Sequence, residues 1–545
     1  MLGSLSVVIL AVALLSFGHR RIRSYLRYFQ QEEYSSTRFL AWLSQRRAFD
    51  TRGTAVMALL AILSVLLPGP WLVPLWSASA AALLLAVVFV VEDDPLTAGK
   101  LKLNMTQRAS KIALVAEALY AALVLAPLLL INWCCGAPAH AMAYLALCGM
   151  VIAQAPPLLL LVANKLLWPA ERALQESYYA DAKRVLRKVA PFTIGITGSY
   201  GKTGAKAALG ELLTQCLGPT FWPRKSINTV MGITRAIREQ MRPFHRYAVI
   251  EMGAYSIGSI ARLCDFTPPR AALVTAVGVM HLERFGSAEN IYRAKSELAL
   301  ALPTDGILVC NGDSPNARRM AAEHPSGTTI LYGLDRGRGH LDCFASDLSF
   351  SDRGTSFTLT WRGERHPAFT PLLGRPAVLN ALGAFAMACA LGAEPAYAVA
   401  CLANLRPVDN RLVLDRQPGV SFLRDAYNSN PVGFEAALEV LKGLPARRRI
   451  VITPGMVELG EQQGPENRRL ASLCAGVADL VLVVGRTNRE ALLAGLADAQ
   501  FPGERIIAVQ SRDEAFSALK DRQLEGDLVL LENDLGDLLE GTVRF

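Results

Sequence analysis

Residues 194–203 read Ile-Gly-Ile-Thr-Gly-Ser-Tyr-Gly-Lys-Thr, a pattern that predicts a β-strand, a glycine turn and the start of a helix. Such a turn directs several backbone N–H groups into one concavity, and the helix adds the positive end of its dipole. A lysine and a threonine at its end can reach terminal phosphates and Mg²⁺. The stretch therefore favours a loop for ATP and Mg²⁺, formed by Gly198, Ser199, Tyr200, Gly201, Lys202 and Thr203.

The spacing of this loop is shorter than that of the common phosphate-binding motif, because Ile196 stands where the first glycine is expected. An ordinary strand-to-helix turn is the alternative interpretation. Motifs elsewhere in the chain are needed to distinguish a phosphate-binding loop from an ordinary turn.

The sequence after residue 192 alternates short apolar runs with helical stretches, which predicts α/β domains with mainly parallel sheets. Residues 341–370 alternate in the manner of a small antiparallel insertion. We predict a central ATP-binding domain at 191–404 and an α/β Rossmann-like C-terminal domain at 405–545. The predicted strands are 247–250, 271–275 and 306–310 in the first domain, and 449–453, 480–484, 505–509 and 527–531 in the second.

The N-terminal third is apolar. Residues 54–91 contain no charged side chain, and residues 112–164 contain only Glu117. Crossing a bilayer takes roughly 20 apolar residues as helix, so each stretch is long enough for two spans, and residues 5–17 offer a fifth. A cleaved signal peptide is the alternative for that last segment, but positive charge follows it rather than precedes it. We predict an α-helical membrane domain at 1–168 with about five spans and a charged helical connector at 169–190.

The distribution of basic residues predicts the orientation of these spans. The segment 19–53 carries eight arginines, and the segment 92–111 carries four lysines and arginines. By the positive-inside rule these loops are cytoplasmic, which predicts a multi-pass protein of a bacterial-type inner membrane with its catalytic part in the cytoplasm. The net charge of +9 is then explained by topology and attraction to anionic membrane lipid, with no reason to invoke nucleic acid.

The ten cysteines contain no Cys-x-x-Cys pair and no Cys/His cluster with zinc spacing. Neither a zinc site nor a disulfide framework is indicated.

Several further motifs accompany the loop, in an order that resembles the Mur ligase family, closest to its MurF branch. The matching stretches are Glu251-Met252-Gly253-Ala254, Met280-His281-Leu282-Glu283-Arg284-Phe285-Gly286-Ser287, Ala294-Lys295-Ser296-Glu297, Asn380-Ala381-Leu382, Asp425-Ala426-Tyr427-Asn428-Ser429-Asn430-Pro431 and Met456-Val457-Glu458-Leu459-Gly460. The resemblance implies an ATP-dependent carboxylate–amine ligase, which converts a carboxylate to an acyl phosphate that an amine attacks. In the MurF branch, D-alanyl-D-alanine is added to the peptidoglycan precursor.

The resemblance also assigns roles to residues. Thr203 and Glu251 would hold a first Mg²⁺ and His281 would help hold a second, although a satisfied loop histidine is the alternative for His281. Lys295 matches a lysine that is carbamylated in several relatives, and so becomes a metal ligand; a surface lysine paired with Glu297 is its alternative. Lys202, His281, Lys295 and Arg411 are the expected catalytic residues.

Asn380 matches an adenine contact, Arg411 an arginine that swings the C-terminal domain onto ATP, and Asp425 a carboxylate near the ribose. Asn228 matches the acceptor side. Tyr427, Asn428 and Asn430 match the loop that receives the amino acid or dipeptide, and ordinary turn chemistry is the alternative for this loop.

The chain also departs from the family pattern. Pro376-Ala377 replaces a His-Asn pair, Arg424 replaces an acid, and Pro454-Gly455 replaces Gly-Asp. A lysine-glycine-serine element is replaced by residues 532–537, which begin with Glu532 and reverse the local charge. Membrane helices occupy the place of the domain that binds the UDP-sugar. The acceptor is therefore expected to be a small molecule or a membrane-held carboxylate, such as a lipid-linked precursor or poly-γ-glutamate. A non-catalytic scaffold is the alternative from another class of function.

Overall fold

The computed structural model describes residues 2–45, 49–67, 72–92, 94–97, 102–134, 138–278, 285–324, 327–335, 337, 339–426 and 429–534. The described residues form two compact units, one through Leu174 and the other from Gln175 to Asp534. Three of the predicted site residues, His281, Tyr427 and Asn428, lie outside the described residues.

The first unit is helical. Its helices are α1 (Leu2–Gln31), α2 (Ser36–Gln45), α3 (Thr51–Leu66), α4 (Val73–Ala86), α5 (Gln107–Cys134), α6 (Pro138–Gln154) and α7 (Pro156–Val189). A π-helical turn, Val87–Val91, continues α4. The last helix extends into the second unit and contains the predicted connector.

A buried charge network lies inside this helical unit. The fully buried Arg21 places Nε 2.5 Å from Asp50 Oδ2 and Nη1 2.6 Å from Glu92 Oε2, and Arg52 Nη1 lies 3.2 Å from Glu92 Oε1. Buried charges persist only when they are paired, since removal of one partner leaves the other uncompensated. The network therefore fixes the end of the π-helical turn against α1 and the start of α3.

Two helical segments are long and apolar enough to cross a bilayer, Pro74–Val91 and Gln107–Pro127. A third is added if Ala143–Gln154 and Pro156–Val189, which are bent by 58° at their junction, count as one span. The described residues thus offer two or three candidate spans, where the sequence predicts about five. One reason is length, because Thr51–Leu66 has only 16 residues.

The second unit begins with a nine-stranded sheet, ordered β2-β3-β1-β4-β5-β6-β7-β8-β9. Neighbours from β2 to β7 are parallel, and β7, β8 and β9 are antiparallel. Its strands are β1 (Phe192–Thr197), β2 (Thr220–Phe221), β3 (Tyr247–Glu251), β4 (Ala271–Val274), β5 (Ile307–Asn311), β6 (Thr328–Gly333), β7 (Cys343–Ser351), β8 (Gly354–Trp361) and β9 (Glu364–Thr370). Its helices are α8 (Lys202–Cys216), α9 (Val230–Gln240), α10 (Ser259–Phe266), α11 (Ala288–Leu300), α12 (Pro315–Glu323), α13 (Arg375–Ala390) and α14 (Pro395–Cys401), followed by a 3₁₀ turn at Leu402–Asn404.

A six-stranded sheet follows, ordered β10-β11-β15-β12-β13-β14, in which β10 alone is antiparallel to its neighbour. Its strands are β10 (Val413–Gln417), β11 (Val420–Asp425), β12 (Arg448–Thr453), β13 (Leu480–Val484), β14 (Ile506–Val509) and β15 (Asp527–Glu532). The helices are α15 (Pro431–Gly443), α16 (Gln463–Ala475), α17 (Arg489–Asp498) and α18 (Arg512–Lys520), with 3₁₀ turns at Gly460–Gln462 and Gly503–Arg505.

Both sheets are covered on two faces by apolar clusters, as parallel sheets require. A helical N-terminal region followed by two α/β domains confirms that part of the predicted fold class. The predicted antiparallel insertion is present as β7 to β9, which extend the central sheet beyond β6. The carboxyl ends of β1, β3 and β4 lie side by side, where ligands bind in open α/β sheets.

Candidate active site

The predicted phosphate loop joins β1 to α8, and hydrogen bonds to the segment that follows β4 hold it in place. Ser199 N–H donates to the Ala276 carbonyl at 2.5 Å, and the Ser199 hydroxyl donates to the Gly278 carbonyl at 2.7 Å. The Thr275 hydroxyl donates to the Tyr200 carbonyl at 2.5 Å. Gly201, whose φ is 81°, is the N-cap residue of α8, and it has no side chain that could accept hydrogen bonds from the helix. The first N–H groups of α8 are thereby left for an anion.

Two lysine amines converge on one carbonyl of the loop. Lys202 Nζ donates to the Gly198 carbonyl at 2.7 Å, and Lys295 Nζ donates to the same oxygen at 2.9 Å. Burial lowers the pKa of Lys202, which Glu251 opposes and Arg411 reinforces. Burial lowers the pKa of Lys295 well below its usual range, and the neighbouring Lys202 charge adds to that shift.

Lys295 does not adopt the alternative role of a surface lysine. Its side chain is only 5% exposed. The partner proposed in that alternative, Glu297, accepts hydrogen bonds from the backbone N–H groups of Gly258 and Ala261 at 2.5 and 2.9 Å. A neutral amine at the phosphate loop is the chemical state that carbamylation needs.

The Glu251 carboxylate, at the end of β3, gathers the polar side chains of a candidate metal site. Thr203 Oγ1 lies 3.1 Å from Glu251 Oε2, and Asn228 Nδ2 donates to Glu251 Oε1 at 3.2 Å. The fully buried Lys206 pairs with Glu251 Oε2 at 3.0 Å, and it also donates to the Lys225 carbonyl. Burial lowers the pKa of Lys206, and Glu251 opposes this shift.

This arrangement fits Mg²⁺ and a phosphate chain. Hard oxygen donors from Thr203 and Glu251 converge at one point, as magnesium prefers. The Lys206 amine holds a positive charge against the same carboxylate, where a cation would otherwise sit. Among the described residues, no group of three or more His, Cys, Asp or Glu side chains forms a closed metal cage.

Asn380, expected at the adenine, lies against the phosphate loop through its side chain. A Cβ added at Gly201 would lie 2.7 Å from Asn380 Oδ1, and one at Gly204 would lie 2.5 Å from Asn380 Nδ2. A side chain at either position would therefore displace the Asn380 amide from the loop.

The C-terminal domain contributes charge to the same loop. Arg411 acts electrostatically on Lys202 and also on Asp425. Burial raises the pKa of Asp425 to about 6, while Arg411 and the Leu412 N–H oppose that shift. Burial raises the pKa of Tyr200 to about 12, and the Glu466 carboxylate adds to it.

Two residues expected at substrates have local roles. The Asn430 side chain caps α15 by accepting from Gly433 N–H at 3.0 Å, which is the turn chemistry given as its alternative. Asn228, expected on the acceptor side, binds Glu251 and accepts from the Tyr255 hydroxyl at 3.2 Å. It therefore belongs to the metal end of the site.

Sequence reasoning missed Lys206 and the surroundings of Glu532. Lys206 stands four residues after Lys202 on α8, a spacing that places both on one helical face and could have identified it. In the sequence, Glu532 stands out only because it begins an acidic segment where the family has a lysine-glycine-serine element. Its position beside Asp425, as a register partner on the neighbouring strand, depends on the order of strands in the second sheet.

Comparison with known proteins agrees with this geometry. The model of the Mur ligase middle domain matches residues 196–388, and that of the Mur ligase, glutamate ligase domain matches residues 410–532. The chain belongs to the Mur ligase family, whose members are ATP-dependent amide ligases that use ATP and Mg²⁺.

Within the family, the chain is similar to MurF proteins. The UDP-N-acetylmuramoyl-tripeptide–D-alanyl-D-alanine ligase of Bacillus subtilis (strain 168) is 30% identical over 369 residues, which cover 67% of this chain and 77% of that relative. The corresponding ligase of Escherichia coli (strain K12) is 32% identical over 307 residues, with 56% of this chain and 67% of the relative covered. A crystal structure of MurF from Acinetobacter baumannii has a TM-score of 0.58 and 26% identity, and the match covers 66% of this chain and 77% of that one.

Proposed function

We propose that this chain is a membrane-anchored amide ligase of MurF type, which joins D-alanyl-D-alanine to a carboxylate of a peptidoglycan precursor. The observation that carries the proposal is the convergence of Lys202, Lys295, Thr203 and Glu251 at the carboxyl ends of β1 and β3. A scaffold would need none of these side chains together. The names of the similar relatives supply the substrates.

The reaction needs an activated acyl group, because a free carboxylate is a poor acyl donor. ATP with Mg²⁺ supplies a phosphoryl group, and the resulting acyl phosphate loses phosphate when the amine forms the new C–N bond. Lys202 and the first N–H groups of α8 would bind the phosphates and stabilise developing negative charge. Thr203 and Glu251 would hold one metal ion.

A second magnesium ion is part of the proposal. His281 and a carbamylated Lys295 would be its ligands, since carbamylation replaces a cation by an anionic oxygen donor. The buried, easily deprotonated amine of Lys295 supports this role.

The decisive experiment measures phosphate release by the full-length protein with Mg²⁺-ATP. We expect release only when a UDP-linked muramoyl tripeptide and D-alanyl-D-alanine are both present, with the amide product seen by mass spectrometry. Lys202→Ala should reduce turnover at least about a hundredfold, and binding to membranes should be unaffected. Turnover that survives this substitution would show that the loop has been misread.

An acceptor that carries a lipid tail is a second candidate, and the composition of the helical unit favours it. Its segments Pro74–Val91 and Gln107–Pro127 are long and apolar enough to cross a bilayer, where a lipid-linked precursor would lie. Competition between the UDP-linked and a lipid-linked precursor in the same phosphate assay separates the two acceptors.

A further inference from the structure

Glu532 is the last residue of β15 and lies beside Asp425, the last residue of β11. The two strands are parallel, and these residues are register partners, so their side chains project from the same end and face of the sheet. The Glu532 side chain is completely buried. Its Oε1 accepts from the Ser429 hydroxyl, whereas its Oε2 has no hydrogen-bond partner among the described residues.

Ionisation of both carboxyl groups of this pair would leave one negative charge without a counter-ion among the described residues. Arg411 acts on Asp425, and Asp534 is paired with Arg512 at 2.7 Å. Within the described part of the chain, Glu532 has no ion pair of its own. Burial raises the pKa of Glu532 well above its usual range, and the neighbouring Asp425 adds to this shift.

Rigid contacts hold the end of β15 in position. Asn533 Nδ2 donates to the Gly455 carbonyl at 2.6 Å, and Asn533 N–H donates to the Asp425 carbonyl at 3.0 Å. The unpartnered carboxylate oxygen therefore belongs to a residue that is followed directly by an anchored backbone.

Arg411 links this pair electrostatically to the phosphate loop, because its charge acts on both Asp425 and Lys202. In the ligase proposed above, the group that must reach this place is the incoming amine. The inference rests on that proposed function.

We propose that Glu532 and Asp425 form the binding site for the ammonium group of the amine substrate, with Glu532 Oε2 as its principal acceptor. An ammonium carries three N–H donors and one positive charge, which matches the unpartnered Oε2 and the one negative charge that Glu532 carries when it is ionised. A divalent metal fits less well, because it needs about six oxygen ligands and the described residues here offer two carboxylates.

The test compares two probes on the full-length protein by titration calorimetry in the presence of Mg²⁺-ADP. The probes are D-alanyl-D-alanine and 1,5-diaminopentane, which are compared with N-acetyl-D-alanyl-D-alanine and with N,N′-diacetyl-1,5-diaminopentane. We expect both amines to bind the wild type, and acetylation to weaken binding at least tenfold. Glu532→Gln keeps the shape but removes the charge, and it should weaken amine binding at least tenfold.

Asp534→Asn is the matched control, because it removes an acid two residues away that is already paired with Arg512. Its affinity for both amines should equal that of the wild type. Wild-type protein that binds neither amine, or binds the acetylated probes as tightly, overturns the proposal even if Glu532→Gln fails to fold. A folded Glu532→Gln variant with wild-type amine affinity overturns it as well.

Failure of the ammonium site and failure of the proposed function give different results. Amine binding that depends on Glu532 without any phosphate release would refute the ligase but retain the site. Phosphate release with an unchanged KM for the dipeptide in Glu532→Gln would refute the site but retain the ligase.

Discussion

The Glu251 carboxylate is the residue through which most of the candidate site is connected. It lies fully inside the protein, between the Thr203 hydroxyl and the Lys206 amine. Motif comparison could predict Thr203 and Glu251, because each belongs to a short contiguous pattern. Lys206 belongs to the same cluster because α8 turns it inward. Its spacing from Lys202 indicates the shared helical face, but it does not indicate that Glu251 is the partner.

Lys206→Met should therefore destabilise the protein when no metal is present. Removing one partner of a buried ion pair typically costs about 3 kcal/mol, because the other charge is left buried and alone. Urea unfolding should show a loss of this size without Mg²⁺ and a smaller loss with Mg²⁺, since the metal would compensate Glu251.

Lys442→Met is the control for this comparison, because Lys442 is exposed at the end of α15. It should change the free energy of unfolding by less than about 0.5 kcal/mol. An equal loss for Lys206→Met with and without Mg²⁺ would count against a metal at Glu251.

The buried Asp425 carboxyl group predicts how the free energy of unfolding changes with pH. Its pKa is raised to about 6 by burial, so the folded state binds a proton more tightly than the unfolded state does. Its contribution to stability is present below the ordinary aspartate pKa and is lost as pH rises through the folded pKa. From about pH 4 to about pH 7, the wild type should lose stability relative to Asp425→Asn. Unfolding curves of the two proteins that stay parallel across that range would refute this assignment.

At the scale of elements, local patterns predicted the strands well. Residues 480–484 coincide with β13, and residues 527–531 fall one residue short of β15 at its carboxyl end. That missing residue is Glu532. Its importance arises because β15 inserts between β11 and β12, an arrangement of distant segments that periodicity does not encode. Hence the strands were predictable, but the carboxylate pair that they create was not.

The close contact between α8 and α13 gives a prediction for Gly201→Ala. Gly201 has a left-handed φ of 81°, and a Cβ there would lie 2.7 Å from Asn380 Oδ1. The left-handed backbone should cost about 1 kcal/mol of stability, and displacement of Asn380 should weaken ADP affinity about tenfold. Thermal unfolding and nucleotide titration measure the two effects separately.

Gly258→Ala is the matched control, because Gly258 also precedes a helix with a φ of 86° but has open space around its Cα. It should show the same loss of stability and no change in ADP affinity. If both variants lose nucleotide affinity equally, the contact with Asn380 does not matter for binding.

At the scale of the whole molecule, hydropathy predicted a helical N-terminal region with about five spans, and the described residues offer two or three candidates. A count of apolar residues takes no account of where each helix begins and ends. The apolar stretch 54–91 is divided between Thr51–Leu66 and the segment Val73–Val91, so one long run yields one helix of sufficient length. The division at helix ends is set by packing and by turn residues, and composition does not reveal it.

If the helical unit is a membrane anchor, a lysine on one of its spans should have a larger effect than in a helical domain that lies in water. Leu83 lies near the middle of the candidate span Pro74–Val91, and it is 47% exposed. A lysine at the centre of a membrane helix costs about 3 kcal/mol, whereas an exposed leucine-to-lysine change in water alters stability by about 0.5 kcal/mol at most. Leu83→Lys should therefore shift the full-length protein out of the carbonate-resistant membrane fraction, measured by quantitative blotting.

Leu300→Lys, at an exposed leucine in the second unit, should leave the distribution unchanged. If Leu83→Lys fractionates as the wild type does, this helix does not lie in lipid, and the anchor must be sought elsewhere or abandoned.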